Sequence, residues 1–183
     1  MPRVFRYQIM DIIKKRWSPH AYSQEVIPRG DILALLEAAS FAPSCLNEQP
    51  WRFLIADEPA LLEKMRQVLT PNNQLWASQA PVLILIAARK TYMSNGETNE
   101  WHEFDTGTAW GFLALEAQQR GLITHAMGGF DPEKAIELFN ISDLYEIITV
   151  VAVGRYGDKN QLSKKLQGRE HPKSRKPVEE LLL

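Results

Sequence analysis

Arg16, Ser18 and His20 alternate in "KKRWSPHAY", so in an extended segment all three face the same side. A guanidinium, a hydroxyl and an imidazole on one face have the chemistry to grip a phosphate. A solvated basic turn is the plainer reading of the same residues. Lys173 and Arg175 repeat the alternation in "HPKSRKP", where Pro172 and Pro177 keep the chain out of helix. Six of the thirteen residues from Lys164 to Lys176 are basic, so an exposed basic tail stands as the alternative. No aromatic residue interleaves these cations, which argues against a platform for nucleic acid.

The connector "SFAPSCLNEQPW" carries Ser44, Cys45, Asn47 and Gln49 and only one charge. Neutral donors and acceptors suit the edge of a heterocycle. The same groups also satisfy backbone in a turn after a helix. In "MGGFD", Gly128 and Gly129 leave main-chain N–H groups open to a flat ligand, or simply turn the chain into a helix capped by Asp131. His20, His102, His125 and His171 lack metalloprotease spacing, so "WHEFD" reads as a helix entrance rather than a metal site. There is no phosphate-loop, dinucleotide or nucleophile-elbow pattern, and no base is indicated for Cys45.

The elements that must position these groups follow from periodicity. "YQIMDIIKK" suits a short helix, and a loop broken by Pro19 and Pro28 follows. Asp31 is expected to cap a helix burying Leu33, Leu36 and Ala39. A strand over Arg52 to Ala56 and a helix over "EPALLEKMRQVL" come next. "PVLILIAA" is continuously apolar, as a strand covered on both faces would be. The longest helix runs near Asp105 to Arg120, ended by Gly121. "DPEKAIELF" gives a further helix and "YEIITVVAVG" the last strand. The sum is a layered α/β or α+β domain.

The 183 residues, 45% hydrophobic and 23% charged, suffice for one domain with a real core. A net charge of −1 gives no general reason to expect nucleic acid or an anionic membrane. One cysteine supports no internal disulfide, and the most apolar run is far too short to span a bilayer. With no signal-peptide pattern at the start, a cytoplasmic setting is expected.

Taken in order, "IIKKRWSPHAY", "APSCLNEQPWRF", "DTGTAWGFLALEAQQRGL", "GGFDPEKA" and "HPKSRKP" resemble the FMN-dependent nitroreductase family. The resemblance implies a mixed sheet surrounded by helices in a single domain over residues 1–183. It also implies a homodimer holding FMN at each subunit interface, with segment 164–183 extending towards the partner. It implies hydride transfer from NADH or NADPH to a small acceptor such as a nitroaromatic or quinone, in ping-pong order. Position by position, Arg16, Ser18, Lys173 and Arg175 resemble phosphate ligands, and His20 lies where many members carry a cation near the flavin. Ser44, Cys45 and Asn47 resemble the loop that reaches the partner's flavin. Asn73, or its neighbour Asn72, resembles the amide at the pyrimidine edge, and Gly128 and Gly129 the backbone that meets the ring. No protein side chain is implied as a nucleophile.

Two departures stand out. Leu75 and Trp76 follow Asn73 where some members have lysine, and His20 replaces a permanent cation. The stretch from Lys90 to Glu103 leaves little room for a long lid, with Tyr92, Trp101 and Phe104 as candidate pocket walls. A flavin carrier or sensor with little turnover, and a basic-tailed interaction protein, are the competing readings.

Overall fold

The computed structural model describes residues 3–183; Met1 and Pro2 of the expected 1–183 domain lie outside the described residues. Among the described residues, seven α-helices surround one sheet: α1 (Asp11–Lys15), α2 (Arg29–Ser40), α3 (Pro59–Val68), α4 (Pro71–Ala77), α5 (His102–Gln119), α6 (Pro132–Phe139) and α7 (Lys164–Gln167). The strands are β1 (Trp51–Ala56), β2 (Val82–Arg89), β3 (Ile123–Met127) and β4 (Tyr145–Gly154), in the order β1-β2-β4-β3.

Every pairing among these strands is antiparallel, which corrects the expectation of a mixed sheet. An unbroken apolar run reports that both faces are covered, not which way the neighbours run. In β2, Val82, Ile84 and Ile86 pack with α2 and α5, while Leu83, Leu85 and Ala87 pack with α3, α4 and α6. The alternation inherent in a strand thus feeds two cores, one on each face. A bulge between Ile86 and Ala87 leaves Ile148 without a partner and re-phases the start of β4.

Helix α2 begins at Arg29, earlier than expected, so its buried positions are Ile32, Leu35 and Ala39 rather than Leu33, which is half exposed. Asp31 is in the first turn instead of at the cap and pairs with Arg120 at 2.8 Å. Asp131 does cap α6, accepting from the Lys134 amide, and Gly121 follows α5 at a left-handed φ of 70°.

The segment after α1 is stitched to the end of β4. Ser23 N donates to Arg155 O, Gly157 N donates to Ala21 O, and the Tyr22 hydroxyl donates to Ala152 O. A Cβ at Gly157 would lie 2.5 Å from the Tyr22 carbonyl, so only glycine admits this close approach. Residues 21–23 are thereby held against the end of β4.

Candidate functional site

Arg16 and Ser18 line an open groove of about 590 Å³, whose other wall is the middle of α5 with Thr108, Trp110 and Phe112, and whose floor includes Ala126 of β3. Gly111 on the same helix leaves open space where a side chain would stand. The groove therefore joins a cationic end to an aromatic wall.

The cations there come from both ends of the chain. Arg3 donates from Nε to Lys173 O and from Nη1 to Lys14 O and Arg16 O. Burial lowers the Arg16 guanidinium pKa, and the nearby charges of Arg3 and Arg175 lower it further. Among the described residues, none of Arg3, Arg16, Lys173 and Arg175 forms an ion pair with a carboxylate. Like charges gathered without a counter-charge are unfavourable until an anion arrives. Arg3 was missed from sequence, because nothing local to "PRVFR" signals a contact 170 residues away.

His20 behaves differently from the other candidates. Its Nδ1 lies 2.9 Å from Glu170 Oε2, and its ring packs on Trp76 and His125 with centroids 4.9 and 4.8 Å away. The resemblance gave it to the flavin; here it is tied to a carboxylate. Burial lowers the His125 pKa to about 4, the hydrogen bond to Pro19 O pulls the other way, and His20 adds to the lowering.

Asn73 and Gly129 meet. The Gly129 carbonyl accepts from Thr70 N, Thr70 Oγ1 and Asn73 Nδ2, the last at 2.8 Å. A Cβ at Gly129 would fall 2.6 Å from that same Nδ2. Gly128 is exposed, with nothing within 4 Å of an added Cβ, so its face is free for a flat ligand.

In the connector, Ser44 Oγ accepts from Gln49 N and Gln49 Nε2 donates to Asn47 O, so these two groups are spent on the turn itself. Cys45 N donates to the buried carboxylate of Asp105 at 2.9 Å, and the Cys45 thiol lies 3.8 Å from the Tyr92 hydroxyl. That hydrogen bond to Cys45 is the first cause of a raised Tyr92 pKa. Leu46, Asn47 and Gln49 all have positive φ. The Asn47 amide remains exposed, and no residue of the connector lines its own chain's groove.

His102, Glu103 and Glu146 bring possible metal-ligand atoms within 4.8 Å of one another. Both nitrogens of His102 face acceptors, however: Asn99 O at 2.6 Å and Glu146 Oε2 at 2.8 Å. Two acceptors favour the doubly donating imidazolium, which has no lone pair for a metal. Burial opposes its charge, but the hydrogen bonds to Glu146 and Asn99 outweigh burial and raise the pKa. A raised folded pKa makes this contribution complete below the unfolded value and lost as pH rises through the folded one. Glu146→Gln is therefore expected to lower the denaturation midpoint in mildly acidic buffer, with the gap closing in alkaline buffer. A gap independent of pH would exclude the imidazolium.

The family profile described as "Nitroreductase family" matches residues 13–73 and 66–155, the span from α1 through β4. The chain belongs to the nitroreductase family. A crystal structure of an oxidoreductase containing FMN superposes with a TM-score of 0.95 at 34% identity, covering 99% of this chain and 93% of that one. A nitroreductase family protein from Streptococcus pneumoniae TIGR4, at 22% identity and a TM-score of 0.78, covers 94% of this chain and 98% of its own and shares the fold. A Thermus thermophilus protein named NADH dehydrogenase is 24% identical over 200 residues, covering 92% of each chain. In this chain Arg16 and Ser18 line one groove end, Arg175 lies near Arg16, and Arg3 ties the Lys173 carbonyl to those of Lys14 and Arg16. Asn73 and Gly129 form a second group, and the connector leans on the first turn of α5 through Asp105.

Proposed function

We propose that this chain is an NAD(P)H-dependent flavin oxidoreductase that holds FMN, takes a hydride from NADH or NADPH, and passes it to a small acceptor such as a nitroaromatic or quinone. The cluster of unpaired cations at the mouth of an aromatic-walled groove carries this reading. Its donor set fits a phosphate monoester, because charge-assisted hydrogen bonds are worth about 1.5–3 kcal/mol each. The FMN-containing relative and the Thermus NADH dehydrogenase support the cofactor and the reductant.

In this reading Arg16, Ser18, Lys173 and Arg175, with Arg3 beside them, hold the phosphate. Asn73 fixes the Gly129 carbonyl, so the backbone at Gly128 presents a bare face to a planar ring. Trp110 and Phe112 exclude water from one wall. When bound, FMN supplies the chemistry of accepting and releasing a hydride. With donor and acceptor taking turns in the same groove, turnover would follow ping-pong order.

The reading extends to a homodimer built as one domain per chain, with residues 164–183 reaching towards the partner and the connector covering the partner's groove. Exposed apolar side chains favour it: Leu46 is 81% exposed and Phe104 70%, and Val4, Tyr7, Met10 and Leu181 are also bare. Among the described residues no helix is long and apolar enough to cross a membrane, and a cytoplasmic setting suits the nicotinamide donor.

Anaerobic mixing with NADH or NADPH tests the proposal. The purified protein, reconstituted with FMN, is expected to lose its visible absorbance rapidly and regain it when a quinone is added. A bound flavin that neither nicotinamide bleaches would make the protein a carrier or sensor. A protein that takes up no flavin would end the reading.

A further inference from the structure

Glu170 is a carboxylate whose side chain is 0% exposed in an otherwise basic segment. Its oxygens accept from His20 N at 2.9 and 3.1 Å and from Ala21 N at 2.9 Å, and one of them lies 2.9 Å from His20 Nδ1. A buried carboxylate is tolerated only when its lone pairs are filled in this way. None of its partners is an arginine or lysine, although such cations lie close by in sequence. Three residues later, Lys173 O accepts from Arg3, which also donates to the carbonyls of Lys14 and Arg16. Residues 170–173 are thus fastened at both ends to residues 14–21.

Between those two fastenings lie Arg16 and Ser18 on one strand of chain, and immediately beyond them Lys173 and Arg175 on the other. The cations repel one another, so their proximity needs an external hold. We propose that Glu170 is the positioning residue of the anion site: by docking the C-terminal arm on the His20 and Ala21 amides, it brings Lys173 and Arg175 to the phosphate that Arg16 and Ser18 grip. This inference rests on the FMN reading and adds to it the residue that sets selection of FMN over riboflavin, which lacks the phosphate.

The test compares FMN and riboflavin dissociation constants by fluorescence quenching. Glu170→Gln puts an amide N–H against backbone N–H groups and should release the arm. FMN affinity is expected to fall about tenfold or more, the loss of one charge-assisted contact, with riboflavin affinity nearly unchanged. In an Arg175→Ala background the same change should cost less than it does alone, because the arm has already lost part of its grip. A general loss of stability would weaken both flavins alike, and full additivity with Arg175→Ala would place Glu170 outside the anion site; either result overturns the proposal. If Glu170→Gln does not fold, Glu170→Asp keeps the charge on a shorter stem and should give partial loss of discrimination, with undiminished discrimination overturning the proposal. A native protein that prefers FMN, beside a folded Gln variant with the same preference, removes the positioning role alone. A native protein that binds neither flavin removes the FMN reading and this inference together.

Discussion

Arg16→Ala is expected to weaken FMN binding by about 10- to 100-fold, equivalent to the loss of one charge-assisted hydrogen bond in a partly desolvated site. Arg16 is half-buried and has no carboxylate partner among the described residues, while Arg3 and Arg175 stand close enough to depress its pKa. Even so lowered, a guanidinium stays charged at neutral pH. Its charge therefore weighs against the flavin-free protein. The same substitution should leave the flavin-free protein equally stable or slightly more so, since the backbone carbonyl that Arg3 uses remains. That opposite pair of signs is the signature. Arg16→Lys should fall between the two, keeping charge but losing the fork that spans two phosphate oxygens. Flavin fluorescence titration and thermal unfolding of the flavin-free protein check both halves. Unchanged FMN affinity with a lower midpoint would make Arg16 a structural residue only.

Acid should destabilise the fold through His125. Its ring donates from Nδ1 to Pro19 O at 2.9 Å and packs against Trp76 with centroids 4.5 Å apart, an environment that burial makes hostile to a second proton. The folded pKa of about 4 lies below the unfolded value of 6.5. Unfolded chains therefore take up the proton first as pH falls. The contribution is complete above pH 6.5 and is lost as pH drops towards 4, amounting to about 3 kcal/mol across that window. His102 shifts in the opposite direction, so the comparison is made between variants. His125→Asn, which keeps a donor near the Nδ1 position, should flatten the slope of unfolding free energy between pH 6.5 and 4.5. Denaturant unfolding at several pH values reads this directly. An unchanged slope would mean that the loss in acid belongs to other groups.

What the sequence disclosed and what it concealed divide along the range of the interaction. The end of α5 and the bounds of α6 were readable because Gly121, Asp131 and Pro132 act on backbone groups one to four residues away, whereas α5 starts at His102, three residues before the expected Asp105. The strand β3 was not read, since His125 interrupts its apolar pattern and only the Trp76 and Pro19 environment explains a buried neutral ring there. Helix α4 escaped because "PNNQ" is polar, and its anchoring lies in Trp76 and Ala77. The mixed sheet came from the family resemblance, and the unbroken apolar run of β2 carries no strand direction that could have corrected it. In the candidate site, cation types and spacing singled out Arg16 and Ser18, which line the groove, and Arg175, which lies near Arg16. The contacts of Arg3 with Lys173 and of Glu170 with His20 span 170 and 150 residues and carry no local mark. Ser44 and Gln49 both make hydrogen bonds within their own turn, contacts that their residue types allow from sequence alone.

The left-handed backbone at Leu46, Asn47 and Gln49 has a consequence for recognition speed. Each such residue costs about 1 kcal/mol or more, and the buried Asp105 carboxylate helps retain the shape through the Cys45 amide. The entropy of ordering the connector is thus surrendered when the chain folds, not when two copies or a small molecule meet it. Encounter then requires little rearrangement, which favours rapid capture over adaptable fit.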